Sequence, residues 1–327
     1  MNGEWMIETR SVSKRFRVAG GGALSNKTFE AVGGISLQIA RGETFGIVGE
    51  SGCGKSTVAR LIMGIEKPTT GEIWFNGQRV DDMRPAALRK LRPKFQMVFQ
   101  DSASSLNPRK TIMDIIAQPM RYHGVARGGE AKRRVSELLD MVGLSQGMAQ
   151  RYPHELSGGQ RQRVCIAKAL SLEPELVVLD EPVSALDVSI QAQILNLIRE
   201  LQARLNLTCI FIGHGLGAVH YVSHRIAVMY LGRIVETGTS DQVFEHPAHP
   251  YTKALLDAAP IPDDRQRGRR RSALTGEVSE VAPVGACCLY PRCPIAREEC
   301  LAFTDGLKPL AGEAGHCAAC ARAWEER

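Results

Sequence analysis

Gly49-Glu50-Ser51-Gly52-Cys53-Gly54-Lys55-Ser56-Thr57 decides how this sequence is read. The run fits G-x-x-x-x-G-K-[ST], the P-loop pattern, in which backbone N–H groups cradle phosphate. Ahead of it, Glu43-Thr44-Phe45-Gly46-Ile47-Val48 reads as a short buried strand. Behind it, Val58, Leu61 and Ile62 recur at helical spacing, so the loop joins a strand to a helix, as the motif requires. Gly49, Gly52 and Gly54 let the chain curl until successive N–H groups face one anion. The helix beginning near Lys55 adds its positive end. Lys55 is expected to reach the β- and γ-phosphates of a nucleotide, and the Ser56 hydroxyl to sit on Mg²⁺.

The 327 residues suffice for two domains, or one large domain with an appendage. A hydrophobic fraction of 44% supports a substantial core. No run of about 18 apolar residues is present to span a bilayer. Met1 to Arg10 lacks the basic-then-apolar layout of a signal peptide, which points to the cytoplasm. The net charge of +6 suits an anionic ligand or a membrane surface, and is too mild to imply nucleic-acid binding. Six of the nine cysteines follow position 286. In a reducing compartment such clustering suggests a metal or cofactor rather than disulfides.

Residues 6–18 alternate apolar and polar, as an edge strand does, and a second alternating run goes from Phe29 to Ile39 before the Arg41-Gly42 turn. Strands placed there can lay a flat ring over a nucleotide base. Phe16 is the candidate for stacking on adenine, with a core strand aromatic as the alternative. Gly71 to Gly77 reads as a strand ending in an Asn-Gly turn, with Trp74 assigned to the core. Met97-Val98-Phe99 stops at Gln100, whose amide can bond Mg²⁺ or the attacking water or simply cap the strand. From 111 to about 150 the spacing is helical, through Ile112, Ile115, Ile116, Val135, Leu138, Leu139 and Val142.

Leu156-Ser157-Gly158-Gly159-Gln160 opens another helix and makes a second anion cradle. Leu176-Val177-Val178-Leu179-Asp180-Glu181 is an apolar strand ending in two carboxylates, the mark of a parallel sheet covered on both faces. Asp180 there suits Mg²⁺, and Glu181 can polarise a water. Thr208 to Ile212 forms one more buried strand and delivers His214 level with these groups, a candidate γ-phosphate contact.

Together these residues resemble the ATP-binding subunit of an ABC transporter. The resemblance implies an α/β P-loop NTPase with a RecA-like core, an antiparallel β subdomain and a helical subdomain over about 101–165. It identifies Gln100 as the Q-loop, Ser157 to Gln160 as the signature, Ser184 to Asp187 as the D-loop and His214 as the switch histidine. It implies that Glu181, His214 and Gln100 are catalytic, and that Ser56, Gln100 and Asp180 attend Mg²⁺. ATP would be held by Phe16, by Gly49 through Thr57 and by Ser157 through Gln160, the last four completing a second subunit's site. The family usually has Asp after the switch histidine; Gly215 stands there, which implies altered coupling and lowered turnover.

Ser105-Leu106-Asn107-Pro108-Arg109, Arg151 to Glu155, Glu181 to Ser189 and His249-Pro250-Tyr251-Thr252 resemble the dipeptide and oligopeptide importer subfamily, with nickel importers as near relatives. The resemblance divides the chain into a cassette over 1–260, a charged linker over 261–286 and a cysteine-rich extension over 287–327. It also matches Cys287, Cys293, Cys300 and Cys320 to a four-cysteine motif, the last preceded by His316. Four thiolates can hold either Zn²⁺ or an iron–sulfur cluster, and the resemblance favours [4Fe–4S]. Cys288 and Cys317 are extra, while Cys53, Cys165 and Cys209 look like apolar fillers. The implied function is ATP hydrolysis powering peptide import at the cytoplasmic face of the inner membrane. The implied partners are two permease subunits, a second homologous ATP-binding subunit and, indirectly, a substrate-binding protein. The other readings are a nickel or small-solute importer, a regulatory weakly active subunit, and a soluble ABC ATPase acting on DNA or ribosomes.

Overall fold

Alternation of apolar and polar residues over Trp5–Arg17 and Thr28–Ala40 produces two long strands, paired through the buried Thr9 hydroxyl. It donates to the Ile35 carbonyl at 3.2 Å and accepts the Leu37 N–H at 2.8 Å. The computed structural model describes residues 5–17, 28–258, 274, 285–304 and 306–323. Gly20-Gly21-Gly22, which separate the two alternating runs in the sequence, and most of the linker expected over 261–286 lie outside them.

Two units divide the chain. The first comprises Met1–Ile39, Phe45–Asp81 and Gly213–Arg327. Its antiparallel sheet has the order Thr28–Ala40, Trp5–Arg17, Thr70–Phe75, Gln78–Arg79. The last two strands are joined by Asn76 and Gly77, with φ of 51° and 71°. Positive φ at both turn residues is what a two-residue Asn-Gly hairpin needs. Trp74 departs from its expected core position. It is half-buried, with the Arg10 guanidinium 4.9 Å over its ring and its indole N–H donating to Glu72 at 3.1 Å. Strand alternation turns it to the face of the sheet where charged neighbours stand.

In the same unit the P-loop strand pairs in parallel with Arg225–Tyr230, Phe45 opposite Arg225 and Val48 opposite Val228. Arg233–Thr239 runs antiparallel to that strand. The C-terminal segment then docks on it, with Glu236 opposite Ala318 and Thr237 opposite Cys317. Ala248, Leu310, Ala318, Cys320 and Ala323 bury together beneath this contact.

A two-residue strand is too short to hold a tail alone, and a buried ion pair supplements it. Glu236 is fully buried and accepts the backbone N–H groups of Ala248 and His249, each at 2.8 Å. It also meets His316 Nε2 at 2.8 Å, while His316 Nδ1 bonds the Glu313 carboxylate. Burial works against the imidazolium, but the two carboxylates outweigh it and raise the His316 pKa. A raised histidine pKa stabilises the fold fully below the ordinary value of ~6.5, and that contribution is lost as pH rises through the higher folded value. Removing one member of a buried pair strands the other charge, so His316→Ala is expected to cost roughly 3–5 kcal/mol. Chemical denaturation should show this loss shrinking as pH rises through the folded pKa.

The second unit comprises Ala40–Thr44 and Asp82–Ile212. Phe95–Val98, Leu176–Asp180 and Thr208–Gly213 form parallel pairs in register, Val98 opposite Leu179 and Asp180 opposite Ile212. Every residue of the latter two strands is buried, as apolar runs in a parallel sheet require. The helices expected between 111 and 150 form over Ile112–His123 and Gly128–Met141. Thr111 caps the first, accepting the Asp114 N–H at 3.3 Å, and Gly124 ends it at φ 71°. The helical segment continues to Leu170 and belongs to the same unit as these three strands.

Candidate nucleotide-binding and hydrolysis residues

In the first unit, Gly49 and Gly54 owe their identity to close backbone approach. A Cβ at Gly49 would stand 2.1 Å from the Met229 carbonyl oxygen, and one at Gly54 2.3 Å from that of Ala31. Gly54 also has φ of 106°. The loop is pinned through the Gly232 N–H, which donates to the Cys53 carbonyl at 2.9 Å. Gly54 stands at the N-cap of the helix Lys55–Ile62 without a side-chain acceptor, and no acidic residue occupies the first turn. The N–H groups and positive end of that helix are therefore available to an anion. Lys55 is buried, its ammonium donating to the Gly49 carbonyl at 2.7 Å and the Glu50 carbonyl at 2.8 Å. Ser51 and Gly52 are exposed, while Ser56 and Thr57 are intermediate.

Cys53 is buried, and burial pushes its thiol pKa up despite the nearby Lys55 ammonium. Cys165 is raised in the same way and Cys209 to about 12. Thiols this reluctant to ionise are inert, in keeping with a filler role. Phe16 is 38% exposed on its strand, with the Lys14 ammonium 5.0 Å from its ring. The core alternative for Phe16 is therefore set aside.

In the second unit, Asp180 ends its strand buried, and Glu181 follows with φ of 46°. Few residues other than glycine adopt that conformation, and it costs on the order of 1–3 kcal/mol. Its neighbours hold it there: the Glu181 N–H donates to the Ile212 carbonyl at 2.9 Å, and the Ser184 hydroxyl donates to the Glu181 carbonyl at 3.1 Å. The Gln100 amide donates to Glu181 Oε2 at 2.7 Å. Two of the three residues expected to be catalytic thus meet directly. Asp187, within the expected D-loop, caps the helix Val188–Leu205 by accepting the Ile190 N–H at 3.0 Å.

The second anion cradle differs from the first. Ser157 accepts the Gln160 N–H at 3.3 Å, and Gln160 Oε1 accepts the Ser157 N–H at 3.0 Å, a reciprocal capping box. Gly158 and Gly159 then open the helix Gly158–Leu170, whose first turn also lacks an acid. A Cβ at Gly159 would lie 2.6 Å from Ile190 Cγ2, so glycine there lets two helices approach closely. His214 is exposed at the end of its strand, in the first unit. Gly215 does not use its conformational freedom, since its φ is −91°, and a Cβ there would meet nothing within 4 Å.

The cysteines need a correction. Among the described residues, no group of three or more His, Cys, Asp or Glu side chains is placed to hold a metal ion. For Mg²⁺ such a finding is expected, because that ion takes one or two carboxylates and completes its shell with phosphate and water. The four cysteines of the expected motif do line one cavity, together with His249 and Arg322; Cys288 and Cys317 do not line it. Cys287 has its pKa lowered by a hydrogen bond from the Cys288 thiol and a further one from His249. Burial raises Cys293 and Cys320, whose thiols also feel the charges of the others.

Sequence reasoning missed the partners of Glu50. Its N–H donates to the Tyr251 hydroxyl at 2.8 Å, and its carboxylate meets Arg292 at 3.3 Å. The His249-Pro250-Tyr251-Thr252 run is the one sequence signal that marks either residue.

Known proteins resemble this chain over most of its length. The "ABC transporter" family profile matches residues 32–184, and that of "Oligopeptide/dipeptide transporter, C-terminal region" matches residues 235–300. The Oligopeptide transport ATP-binding protein OppF of Escherichia coli (strain K12) is 50% identical over 277 residues, 84% of this chain and 83% of that protein. The Oligopeptide transport ATP-binding protein AppF of Bacillus subtilis (strain 168) is 48% identical, covering 91% of this chain and 92% of its own length. Among solved structures, the dimeric post-hydrolysis ATP-binding cassette MJ0796 bound to ADP and Pi superposes with a TM-score of 0.65 at 29% identity, over 72% of this chain and 99% of that one. No helix among the described residues is long and apolar enough to cross a membrane.

Proposed function

The chain belongs to the family of ABC transporter ATP-binding proteins, and from this premise we propose that it hydrolyses ATP to drive the import of oligopeptides across the cytoplasmic membrane. The observation that carries this reading is identity at about half of the aligned positions with proteins named for oligopeptide transport, over more than four-fifths of both chains. The matching C-terminal profile supports the peptide assignment over nickel.

In this reading the P-loop N–H groups and Lys55 hold the β- and γ-phosphates, and Ser56 and Asp180 attend Mg²⁺ with Gln100. Glu181 accepts a proton from the attacking water, and Gln100 fixes the direction of that carboxylate. His214 contacts the γ-phosphate, and Phe16 offers its exposed ring to adenine. Ser157 through Gln160 complete the site of a second, homologous ATP-binding subunit, in a heterodimer that docks on two permease subunits fed by a substrate-binding protein. The chain is peripheral to the cytoplasmic face of the membrane, and its cassette, linker and cysteine-rich extension divide near 260 and 287. Turnover by the purified chain, compared with turnover by the assembled transporter, tests this. A large rise on assembly is expected; equal rates would favour an ATPase that works without a membrane partner.

Cys287, Cys293, Cys300 and Cys320 are proposed as ligands of a [4Fe–4S] cluster. The support is that these four, and not the two extra cysteines, line a common cavity. When bound, the cluster would supply a covalent clip for a segment with little core of its own. Arg322, whose backbone N–H donates to Cys320 Sγ at 3.4 Å, would offset negative charge there. Anaerobically purified protein should contain about four irons per chain, and Cys293→Ala should lose them. Zinc, or no metal, would remove the cluster.

A further inference from the structure

Three polar groups of Glu50 are held from three directions. Its N–H donates to the Tyr251 hydroxyl at 2.8 Å, and its carbonyl accepts the Lys55 ammonium at 2.8 Å. Its carboxylate meets the Arg292 guanidinium at 3.3 Å. Arg292 comes from the cysteine-rich segment and is only 9% exposed. The same guanidinium nitrogen donates to the Tyr230 hydroxyl at 3.3 Å, and the Tyr230 ring packs on that of Tyr251 with centroids 4.6 Å apart. All of these residues lie in one unit. A continuous chain of contacts therefore runs from the residue before Cys293 to the second residue of the P-loop.

We propose that Arg292 and Tyr251 are positioning residues for the phosphate loop, so that the C-terminal segment helps to set the loop conformation that accepts ATP. The proposal rests on the reading of that loop as the ATP phosphate site. Its physical basis is twofold. A glutamate in a loop built for polyphosphate carries the wrong charge, and Arg292 offsets that charge while drawing the carboxylate aside. The Tyr251 hydroxyl fixes the Gly49–Glu50 peptide plane, and with it the Gly49 carbonyl, which accepts the Lys55 ammonium at 2.7 Å. Neither residue touches nucleotide; both act through Glu50.

MgATP titrations of the full-length protein, followed by calorimetry, test the idea with Arg292→Ala, Tyr251→Phe, Glu50→Ala and the Arg292→Ala/Glu50→Ala pair. Losing a hydrogen bond to a charged group predicts a Kd about tenfold weaker for Arg292→Ala. In the Glu50→Ala background the same substitution should have no further effect, because its partner is gone. Tyr251→Phe removes a single oxygen and should weaken binding on its own. An unchanged Kd for both Arg292→Ala and Tyr251→Phe would overturn the proposal. So would an Arg292→Ala loss of the same size with and without Glu50, since that would mark a structural effect. A wild-type chain that binds no MgATP would instead remove the phosphate-loop reading itself.

Discussion

Glu181→Gln is expected to cut steady-state ATP hydrolysis by about 10²–10⁴-fold, the usual contribution of a positioned general base, while MgATP remains bound. The substitution keeps shape and removes charge. The Gln100 amide that donates to Glu181 Oε2 at 2.7 Å retains an oxygen to meet, so the local geometry should persist. Binding should survive because the groups proposed to grip phosphate stand elsewhere in the sequence, at the P-loop. Single-turnover and steady-state rates, measured beside an ATP-binding titration, check this. Turnover within a factor of a few of the wild type would remove Glu181 from its role. The backbone supports the assignment independently of resemblance. A glutamate held at φ 46° by hydrogen bonds at both its N–H and carbonyl is costly, and such costs concentrate where chemistry is done.

Lys55→Ala is expected to abolish both binding and hydrolysis, with a loss of at least about 10²-fold in turnover, the usual effect of removing one group aimed at developing charge. Lys55 is buried and held on the Gly49 and Glu50 carbonyls, so its ammonium is fixed within the loop. Alanine would also leave those two carbonyls without their donor, and the loop should loosen. ATP titration and turnover together read the effect. Retention of wild-type affinity would mean that the backbone cradle alone binds phosphate.

Much of this was legible because it is written locally. The P-loop, the Ser157 helix start, the Asp180–Glu181 strand end and the Asn76–Gly77 turn depend on residue types at fixed spacing, and backbone geometry enforces them. Apolar runs at Leu176–Asp180 and Thr208–Gly213 announce buried parallel strands for the same reason. What the sequence hid are pairings across long separations. Glu50 meets Arg292 across 242 positions, and His316 meets Glu236 across 80. No local period marks such contacts; only the folded chain brings them together. Trp74 misled because a large aromatic in a strand normally packs inward, whereas here Arg10 and Glu72 take it up on a charged face. The four cysteines of the motif line a common cavity that Cys288 and Cys317 do not.

ATP-dependent uptake of a labelled oligopeptide into proteoliposomes is the most direct test, with this chain assembled with its permeases, partner ATP-binding subunit and substrate-binding protein. Accumulation of peptide that requires ATP and is lost when this chain carries Glu181→Gln is the predicted result. ATP turnover by the assembly without accumulation of any oligopeptide, or uptake unaffected by Glu181→Gln, would contradict it.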